Sequence, residues 1–311
     1  MSRLRIVLWI AVGTLLLATP LFAQDNNQQG WGQVVVTVLA KHRGEAPASV
    51  SQQDLKIAVN GKQSTVTNWV PLQGPEDSVE LVLLIDGSAG TSLGTQLDDM
   101  THFIQSLPPN AKSTIAYMDS GRAILTGPLS TDHTLVLRGL HLPAGIRGSN
   151  ASPYFCLSEL AKHWPSEDRK ARRAVVMVTS GVDNYDLRYD PSDPYVQTAI
   201  ADSVRAGLVV YSIFWRGNGF RDRALSAGQN YLSEVTQATG GYNYWSGTVN
   251  PVSFEPYFKN LTRRLQNQYR LSFLAGLNGK FEIESLKMKF KVPDTEIDAP
   301  EQVLVGRVAV N

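Results

Sequence analysis

The stretch "VELVLLIDGSAG", residues 79–90, decides the fold class of this chain. A continuous apolar run ends at Asp86, and Ser88 follows two residues later. Continuous apolar runs of this length are typical of strands that are buried on both faces, as in parallel sheets. The pattern therefore predicts a buried strand that carries Asp86 and Ser88 to the carboxyl edge of a sheet, where α/β proteins place their ligands.

The residues after Asp86 limit what that edge can bind. They read "DGSAGTSLG", which matches neither the Walker pattern nor a dinucleotide fingerprint. One carboxylate with several hydroxyls, completed by water, suits a hard cation such as Mg²⁺. A metal is therefore a better-motivated ligand than a nucleotide, and a loop that has lost its ligand is the third possibility.

Strands and helices alternate over residues 79–267. Further strand-like runs are "STIAYMD", "RRAVVMVTS", "LVVYSIFW" and "YNYW", and segments with helical periodicity separate most of them. In the segment before the second of these strands, Ser152 is a suitable N-cap and Pro153 suits the first helical position. Repeated β–α units predict a Rossmann-like α/β domain, with a mostly parallel sheet and helices on both faces.

Both flanks of this domain are strand-like instead. Residues 32–75 contain alternating apolar positions and an Asn-Gly hairpin signal, and residues 268–311 return to the same texture. The polar segment 24–31 is predicted to be flexible. Because the periodicity changes at both boundaries, we expect 32–75 and 268–311 to pack together as a small β-rich domain beside the α/β core.

The first residues predict export. Arg3 and Arg5 precede an apolar run, and Ala23 offers a small residue for cleavage, which is the pattern of a secretory signal peptide over residues 1–23. An uncleaved membrane anchor is the alternative. Either way, the remainder is expected to be secreted or periplasmic, and no later run is long and apolar enough to cross a bilayer.

Charge and composition exclude several classes of partner. The chain has 29 Lys and Arg against 28 Asp and Glu, so there is no basic excess for nucleic acid or anionic lipid. Apolar residues make up 43%, which is enough for a sizeable core. Cys156 is the single cysteine, so no internal disulfide forms, and a small buried hydrophobe is the expected role of its side chain.

At this point the chain resembles a von Willebrand factor A (VWA) domain protein, of the secreted type that occurs in Acidobacteria. The strand followed by Asp86 and Ser88 is similar to the first segment of that family's metal-ion-dependent adhesion site, and "VVMVTSGVDN" resembles a later strand of the family. The strand-rich ends resemble the flanks of the acidobacterial proteins. The resemblance implies a VWA-like fold and a non-catalytic protein-binding role.

The departures from the family pattern concern the metal ligands. Gly90 stands where the family has a second serine, and Ser180 stands where it has an aspartate. For the family's threonine, only Ser149 or Ser152 is available. Asp86, Ser88 and Ser152 are therefore the candidate Mg²⁺ ligands, but a hydrogen-bonded loop without metal is the favoured interpretation. We expect Gly90→Ser together with Ser180→Asp to raise metal affinity.

Two further loops contain candidate binding residues. The loop "GVDNYDLRYDPSDPY" combines four aspartates with three tyrosines, and it is interpreted as a Ca²⁺ site, an aromatic contact surface or a surface loop whose aspartates cap turns. The aspartates are Asp183, Asp186, Asp190 and Asp193, and the tyrosines are Tyr185, Tyr189 and Tyr195. In "FWRGNGFRDR", Trp215 and Phe220 are expected to pack inward rather than to engage a partner.

Hypotheses from two function classes follow. The first is an exported interaction module that grips a protein partner with the rim formed by Asp86, Ser88, Ser152, Ser180 and the loop residues Asp183, Tyr185 and Tyr189, either without metal or through a residual Mg²⁺ site. The second is an envelope hydrolase that uses the rim carboxylates. No Ser-His-Asp arrangement or metal-ligand spacing of histidines supports an enzyme, so we expect a non-catalytic protein with no required cofactor.

Overall fold

A computed structural model describes residues 28–307 of the 311, except 43–44, 75–76, 144, 147, 218, 246, 248 and 278. The predicted signal segment 1–23 lies outside the described residues. Within the described part, no helix has the length and apolar character needed to span a membrane.

The α/β unit has a six-stranded sheet with order β6-β5-β4-β7-β8-β9. All neighbours are parallel except the β5–β6 hairpin. The strands are β4 (Val79–Asp86), β5 (Lys112–Asp119), β6 (Arg122–Leu125), β7 (Arg172–Thr179), β8 (Leu208–Phe214) and β9 (Asn243–Tyr244). The helices are α1 (Leu97–Gln105), α2 (His133–Leu137), α3 (Pro153–Lys162), α4 (Pro194–Ala206), α5 (Asp222–Thr239) and α6 (Glu255–Gln266).

The central strand β4 is buried along its whole length, as its apolar run predicts. Leu81, Leu83 and Ile85 point into the core under α1 and α6, where Phe103 and Phe258 stack with ring centroids 4.4 Å apart. Val82 and Leu84 point into a second core under α3, α4 and α5. The two cores on opposite faces give the unit its layered α/β architecture.

Local signals fix the helix starts that border the later site. Ser152 caps α3 and Pro153 occupies its first turn, as expected. Asp193 caps α4 in the same way, ahead of Pro194. Gly207 ends α4 in the left-handed conformation (φ 68°), which glycine adopts without steric cost.

The two chain ends form one antiparallel sheet of seven strands, with order β10-β3-β2-β11-β13-β1-β12. An additional pairing of β1 with β10 closes it into a barrel. The strands are β1 (Gln28–Ala40), β2 (Leu55–Val59), β3 (Lys62–Pro71), β10 (Gln268–Leu277), β11 (Phe281–Phe290), β12 (Thr295–Asp298) and β13 (Gln302–Arg307). Its interior contains Val36, Val38, Leu271, Phe273 and Val305.

Several predicted boundaries move. Residues 28–31 are not a flexible segment, because β1 starts at Gln28 and pairs with β10 from its first residue. Apolar residues recur at helical spacing from Leu93 onward, but α1 begins only at Leu97, after a 3-10 turn. In β11 the partner strand changes after Ser285, from β13 to β2, which is where the alternation of the sequence breaks phase.

Buried polar contacts join the barrel to the α/β unit. Arg172 at the start of β7 pairs with Asp77 at 2.5 Å and donates to Gln268 Oε1 at 2.6 Å. Gln268 Nε2 in turn donates to the Tyr211 hydroxyl at 2.9 Å. Arg264 of α6 pairs with Asp298 of β12. The two units therefore share an interface in which both arginines have a carboxylate partner.

Candidate functional site

The candidate site lies at the carboxyl edge of the parallel sheet, between β4 and β7. Counted within the α/β unit, the strand order is 3-2-1-4-5-6, and the direction of winding reverses between β4 and β7. Open α/β sheets bind ligands at such a switch point. Asp86 is the last residue of β4 and Thr179 is the last residue of β7, so both lie there.

The Asp86 carboxylate accepts four hydrogen bonds from the protein itself. Oδ1 accepts from the backbone N–H of Ser88 at 2.8 Å and from the Ser88 hydroxyl at 2.7 Å. Oδ2 accepts from the Thr179 hydroxyl at 2.6 Å and from the Asn150 amide at 3.1 Å. The side chain is almost fully buried (1% exposed). The donors around Asp86 therefore use both of its oxygens.

Burial and hydrogen bonding act on Asp86 in opposite directions. Burial raises the pKa of Asp86 above its ordinary value of 3.8, because the charged form loses its hydration. The hydrogen bonds from Thr179, Ser88 and Asn150 favour the charged form and oppose the shift. Burial dominates, so the carboxylate is held at an energetic cost that its donors only partly offset.

Two of the four donors come from residues that the sequence interpretation did not single out. Asn150 lies in the loop before α3, and its Oδ1 accepts from the Asn184 amide at 2.9 Å. The Thr179 hydroxyl also accepts from the Gly181 N–H at 3.1 Å. Asn150 and Thr179 thus connect three loops through Asp86. The sequence offers one signal for Thr179, its position at the end of a predicted strand, where α/β sheets place their functional side chains. It offers no comparable signal for Asn150.

Of the predicted hydroxyl ligands, only Ser88 is hydrogen-bonded to Asp86. The Ser152 hydroxyl accepts from the Tyr154 N–H at 3.3 Å as the cap of α3. The Ser180 hydroxyl accepts from the Val182 N–H at 3.4 Å. Ser149 is tied through its carbonyl, which accepts from the Ser120 N–H at 2.6 Å. The structure therefore brings these serines to the edge but directs Ser152 and Ser180 to backbone partners.

Gly90 explains why the family's second serine has no equivalent. Its backbone has φ 79° and ψ 172°, a conformation that is essentially restricted to glycine. Gly145 packs against it so closely that a Cβ on Gly145 would lie 2.8 Å from the Gly90 Cα. A serine at position 90 would therefore strain the backbone, and the gain in metal affinity expected from Gly90→Ser together with Ser180→Asp stays a prediction.

The donor set does not fit the Mg²⁺ ion that the resemblance implies. An ion would have to displace the hydrogen-bond donors around Asp86, and Gly90 offers no side-chain oxygen. Within the described ranges, no group of three or more His, Cys, Asp or Glu side chains is placed to hold a metal. Mg²⁺ demands near-ideal octahedral geometry, which these groups do not supply.

Cys156 borders the site without the properties of a nucleophile. Burial, followed by the charge of Asp86, raises the pKa of the Cys156 thiol, so the thiolate is disfavoured. The thiol donates only a weak hydrogen bond to the Asn150 carbonyl at 3.5 Å. His163 does not serve the thiol as a base, because its side chain is 72% exposed at the end of α3.

The four loop aspartates each accept a backbone N–H two residues ahead, as the capping interpretation predicts. Asp183, Asp186, Asp190 and Asp193 accept from residues 185, 188, 192 and 195 at 2.8–2.9 Å. These Asx-type bonds stiffen the loop and cap α4. One oxygen of each carboxylate is thereby used locally.

Asp183 is the most buried of these carboxylates (1% exposed). Burial raises its pKa, and the hydrogen bond from the Tyr185 N–H opposes the shift. Its Oδ2 has no hydrogen-bond partner in the described part of the chain. The Ser152 hydroxyl lies close enough to lower the pKa of Asp183, but it makes no hydrogen bond to Oδ2.

Exposed tyrosines, which we call the tyrosine rim, lie on this loop (Tyr185 and Tyr189) and in the first turn of α4 (Tyr195). Their exposed fractions are 65%, 43% and 44%. Tyr185 and Tyr195 pack on Phe155 of α3, with ring centroids 5.2 and 4.7 Å away, and Tyr189 packs on Tyr231. The rings are therefore supported from below and open to solvent above.

Trp215 and Phe220 do not belong to the exposed surface. Trp215 packs edge-on against Phe254 at 5.5 Å, and both residues of the pair are buried. Phe220 is buried beside Val182 and Leu225. This loop after β8 thus packs inward, as predicted, and the exposed apolar area of the edge is found elsewhere.

A second exposed apolar group, which the sequence interpretation missed, lies in the loops that contact Gly90 and the 3-10 turn before α1. It consists of Leu142, Ile146, Val249 and Val252, whose exposed fractions run from 42% to 96%. The Val252 carbonyl accepts from Gln96, and Leu142 reaches Gly94.

The α/β unit has a VWA-like fold, with a mostly parallel sheet of order 3-2-1-4-5-6 and with Asp86 and Ser88 at its switch point. No family model matches the chain, and no curated protein matches it. Among solved structures it is similar to an aerotolerance-related membrane protein from Bacteroides fragilis, with a TM-score of 0.44, 15% identity and coverage of 60% of this chain and 98% of that one.

Two further likenesses are to VWA-type structures. One is the manganese-loaded TRAP protein of Plasmodium vivax, with a TM-score of 0.43, 15% identity and coverage of 76% of this chain and 98% of that chain. The other is the VWA domain of SpRpn10, with a TM-score of 0.41, 15% identity and coverage of 59% and 94%. TM-scores below 0.5 do not support an argument about fold. The description of the fold therefore rests on the strand order and on the residues at the switch point.

Proposed function

We propose that this protein is an exported interaction module that binds a protein partner through the tyrosine rim, without a bound metal. The observation that carries the proposal is the group of three exposed tyrosines, two on a loop that its own aspartates stiffen and one in the first turn of α4. Tyrosine is enriched at protein interfaces because it combines a large apolar surface with a hydroxyl. A rigid loop also loses little conformational entropy on binding.

Asp86 and its neighbours serve the rim as a scaffold in this proposal. The Asp86 network ties the loop that carries Asn150 to the loop after β7, which leads into the tyrosine rim. Its function is to hold these loops together, as a metal ion would in the adhesion alternative. Binding of the partner is therefore expected to persist in a chelator.

The hydrolase alternative would depend on Asp86 or Asp183. Both side chains are 1% exposed, so a substrate could reach neither carboxylate without opening of the loops. The metal-dependent adhesion alternative would require an ion to replace the donors of Asp86. Neither alternative accounts for the exposed tyrosines, and no observation favours them over the interaction module.

The test is a quantitative pull-down from the native envelope fraction, with and without chelator. The wild type is compared with a Tyr185→Ala/Tyr195→Ala variant and with Phe281→Ala. Phe281 is a matched control because it is an aromatic residue, 70% exposed, on the barrel. We expect a partner that the wild type and Phe281→Ala retain, in chelator as well, and that the tyrosine variant loses.

Two results would contradict the proposal. Loss of the partner in chelator would restore the metal-dependent alternative. Equal capture by the wild type and the double tyrosine variant would show that the partner binds elsewhere.

A further inference from the structure

A groove of about 1280 Å³ separates the barrel from the α/β unit, at the opposite edge of the parallel sheet from the tyrosine rim. Arg172 and Leu208, the first residues of β7 and β8, lie on its α/β side. Residues of β1, β3 and β13 form the barrel side. The groove is therefore distinct from the switch-point site.

The described residues that line this groove are predominantly basic. They include seven Lys and Arg side chains against three Asp and Glu side chains, whereas the whole chain carries a net charge of only +1. Positive charge is thus concentrated between the two units. A cleft lined by one sign of charge attracts oppositely charged partners and raises their association rate.

Internal pairing leaves part of this positive charge uncompensated. Asp77 pairs with Arg172, and Asp202 pairs with Lys162 and Arg205 at 2.9 and 3.1 Å. Two of the three carboxylates are therefore already engaged.

Arg169 and Lys170 supply the free charge. Both are exposed, and neither side chain makes a hydrogen bond or ion pair within the described part of the chain. Burial lowers the pKa of neighbouring Arg173, the Glu80 charge opposes this, and the Arg169 charge adds a smaller lowering. Arg169 and Lys170 are therefore available to a ligand at little cost in existing contacts.

The barrel side of the groove adds exposed apolar surface. Trp31 of β1 is 45% exposed and Val70 of β3 is 38% exposed, and both line the groove. An aromatic side chain beside free cations is a combination that protein interfaces favour. A ligand that satisfies both must carry carboxylates and apolar groups together.

We propose that this groove binds an acidic peptide segment of a second protein, with its carboxylates on Arg169 and Lys170 and its apolar side chains on Trp31 and Val70. A uniform polyanion such as nucleic acid fits less well, because it carries a charge on every unit and has no aliphatic side chain to cover Val70 in the groove. With partners at opposite edges of one sheet, the protein would bridge two molecules. Binding of the peptide in the groove stands independently of the tyrosine rim, whereas the bridging role rests on the proposed function.

The experiment measures fluorescence anisotropy of a labelled peptide of alternating Glu and Leu at low ionic strength. The charge-reversed variant is Arg169→Glu/Lys170→Glu. The matched control is Lys287→Glu/Lys289→Glu, which makes the same change in charge on exposed β11 positions outside the groove. We expect saturable binding by the wild type, a Kd raised at least about tenfold in the groove variant, and a change below about twofold in the control.

Salt and folding provide the remaining checks. Added salt should weaken binding by the wild type, because exposed charges are screened beyond the Debye length. Thermal unfolding verifies that the variants fold, and Arg169→Ala/Lys170→Ala, which should weaken binding less, replaces the reversal if it does not fold. The Tyr185→Ala/Tyr195→Ala protein should bind the peptide normally, which separates this test from that of the tyrosine rim.

Three outcomes would overturn the proposal. They are an absence of saturable binding by the wild type, equal loss in the β11 control, and tighter binding of a labelled oligothymidine than of the peptide.

Discussion

Replacing Thr179 with valine tests whether the Asp86 network holds the switch-point loops together. Valine keeps the shape of threonine but removes the hydroxyl, which donates to Asp86 Oδ2 at 2.6 Å and accepts from the Gly181 N–H at 3.1 Å. A hydrogen bond to a charged group such as Asp86 contributes about 1.5–3 kcal/mol, and leaving the buried Gly181 N–H without an acceptor costs about 1–3 kcal/mol. Burial of the added methyl group offsets part of this cost. We therefore expect Thr179→Val to lower the free energy of unfolding by roughly 2–4 kcal/mol near neutral pH.

Thr114→Val is the matched control for this change. Thr114 is also a buried threonine in a strand of the same sheet, but its hydroxyl donates only to the Gly127 carbonyl, at 2.8 Å. Loss of one hydrogen bond between neutral groups costs about 0.5–1.5 kcal/mol. The excess cost at Thr179 over Thr114 therefore measures what the charged acceptor contributes.

The pH dependence carries a sign that can be checked. The pKa of Asp86 is raised above 3.8 in the folded state, so the folded protein binds this proton more tightly than the unfolded chain. Ionisation of Asp86 consequently lowers stability as the pH rises through the folded pKa. Thr179 favours the ionised form, so Thr179→Val raises that pKa further. The loss of unfolding free energy in Thr179→Val beyond that in Thr114→Val should be largest above the pKa of Asp86 in the folded state. This difference should shrink as the pH falls through that pKa.

The assay is urea unfolding, followed by tryptophan fluorescence, for the wild type and both variants over a range of pH. The free energies of unfolding come from linear extrapolation, and an unchanged m-value indicates that the unfolding reaction is the same. A Thr179→Val cost no larger than that of Thr114→Val, or one that does not change with pH, would refute the role given to the ionised network.

Three further perturbations and one cleavage site can be tested in the same protein. Gly90→Ser should lower the free energy of unfolding by about 1–3 kcal/mol through backbone strain. Isothermal titration should detect no gain in Mg²⁺ affinity in this variant. Tight Mg²⁺ binding would contradict the conclusion that the residues around Asp86 do not fit the ion. Arg264→Met should lower the free energy of unfolding by about 3 kcal/mol, because it leaves Asp298 unpaired at the interface of the two units. An unchanged free energy in urea unfolding would mean that the ion pair does not contribute to stability. Cys156 should resist a thiol reagent until the protein unfolds, and rapid labelling of the native state would contradict its burial. Mass spectrometry of the mature N-terminus should find that Met1–Ala23 has been removed, and an intact Met1 in the membrane fraction would establish the anchor instead.

Features that depend on neighbouring residues in the chain were readable from the sequence. The apolar run of β4 predicts a strand buried on both faces, and that strand is buried throughout. Ser152 and Asp193 cap the helices that they precede, each ahead of a proline. The loop aspartates bond two residues ahead. Periodicity, capping and turn chemistry act over a few residues, so one sequence suffices to predict them.

The environment of Asp86 was decided by the tertiary structure. Its partners Asn150 and Thr179 lie 64 and 93 residues away in the chain, and which side chains meet depends on the order and register of β4 and β7. The same holds for the basic groove, which exists only because the two chain ends close a barrel beside the first residues of β7 and β8. Asp86 and Ser88 were evident in the sequence as a pair, but whether their oxygens face a ligand or other side chains depends on contacts between distant segments, which no local pattern encodes.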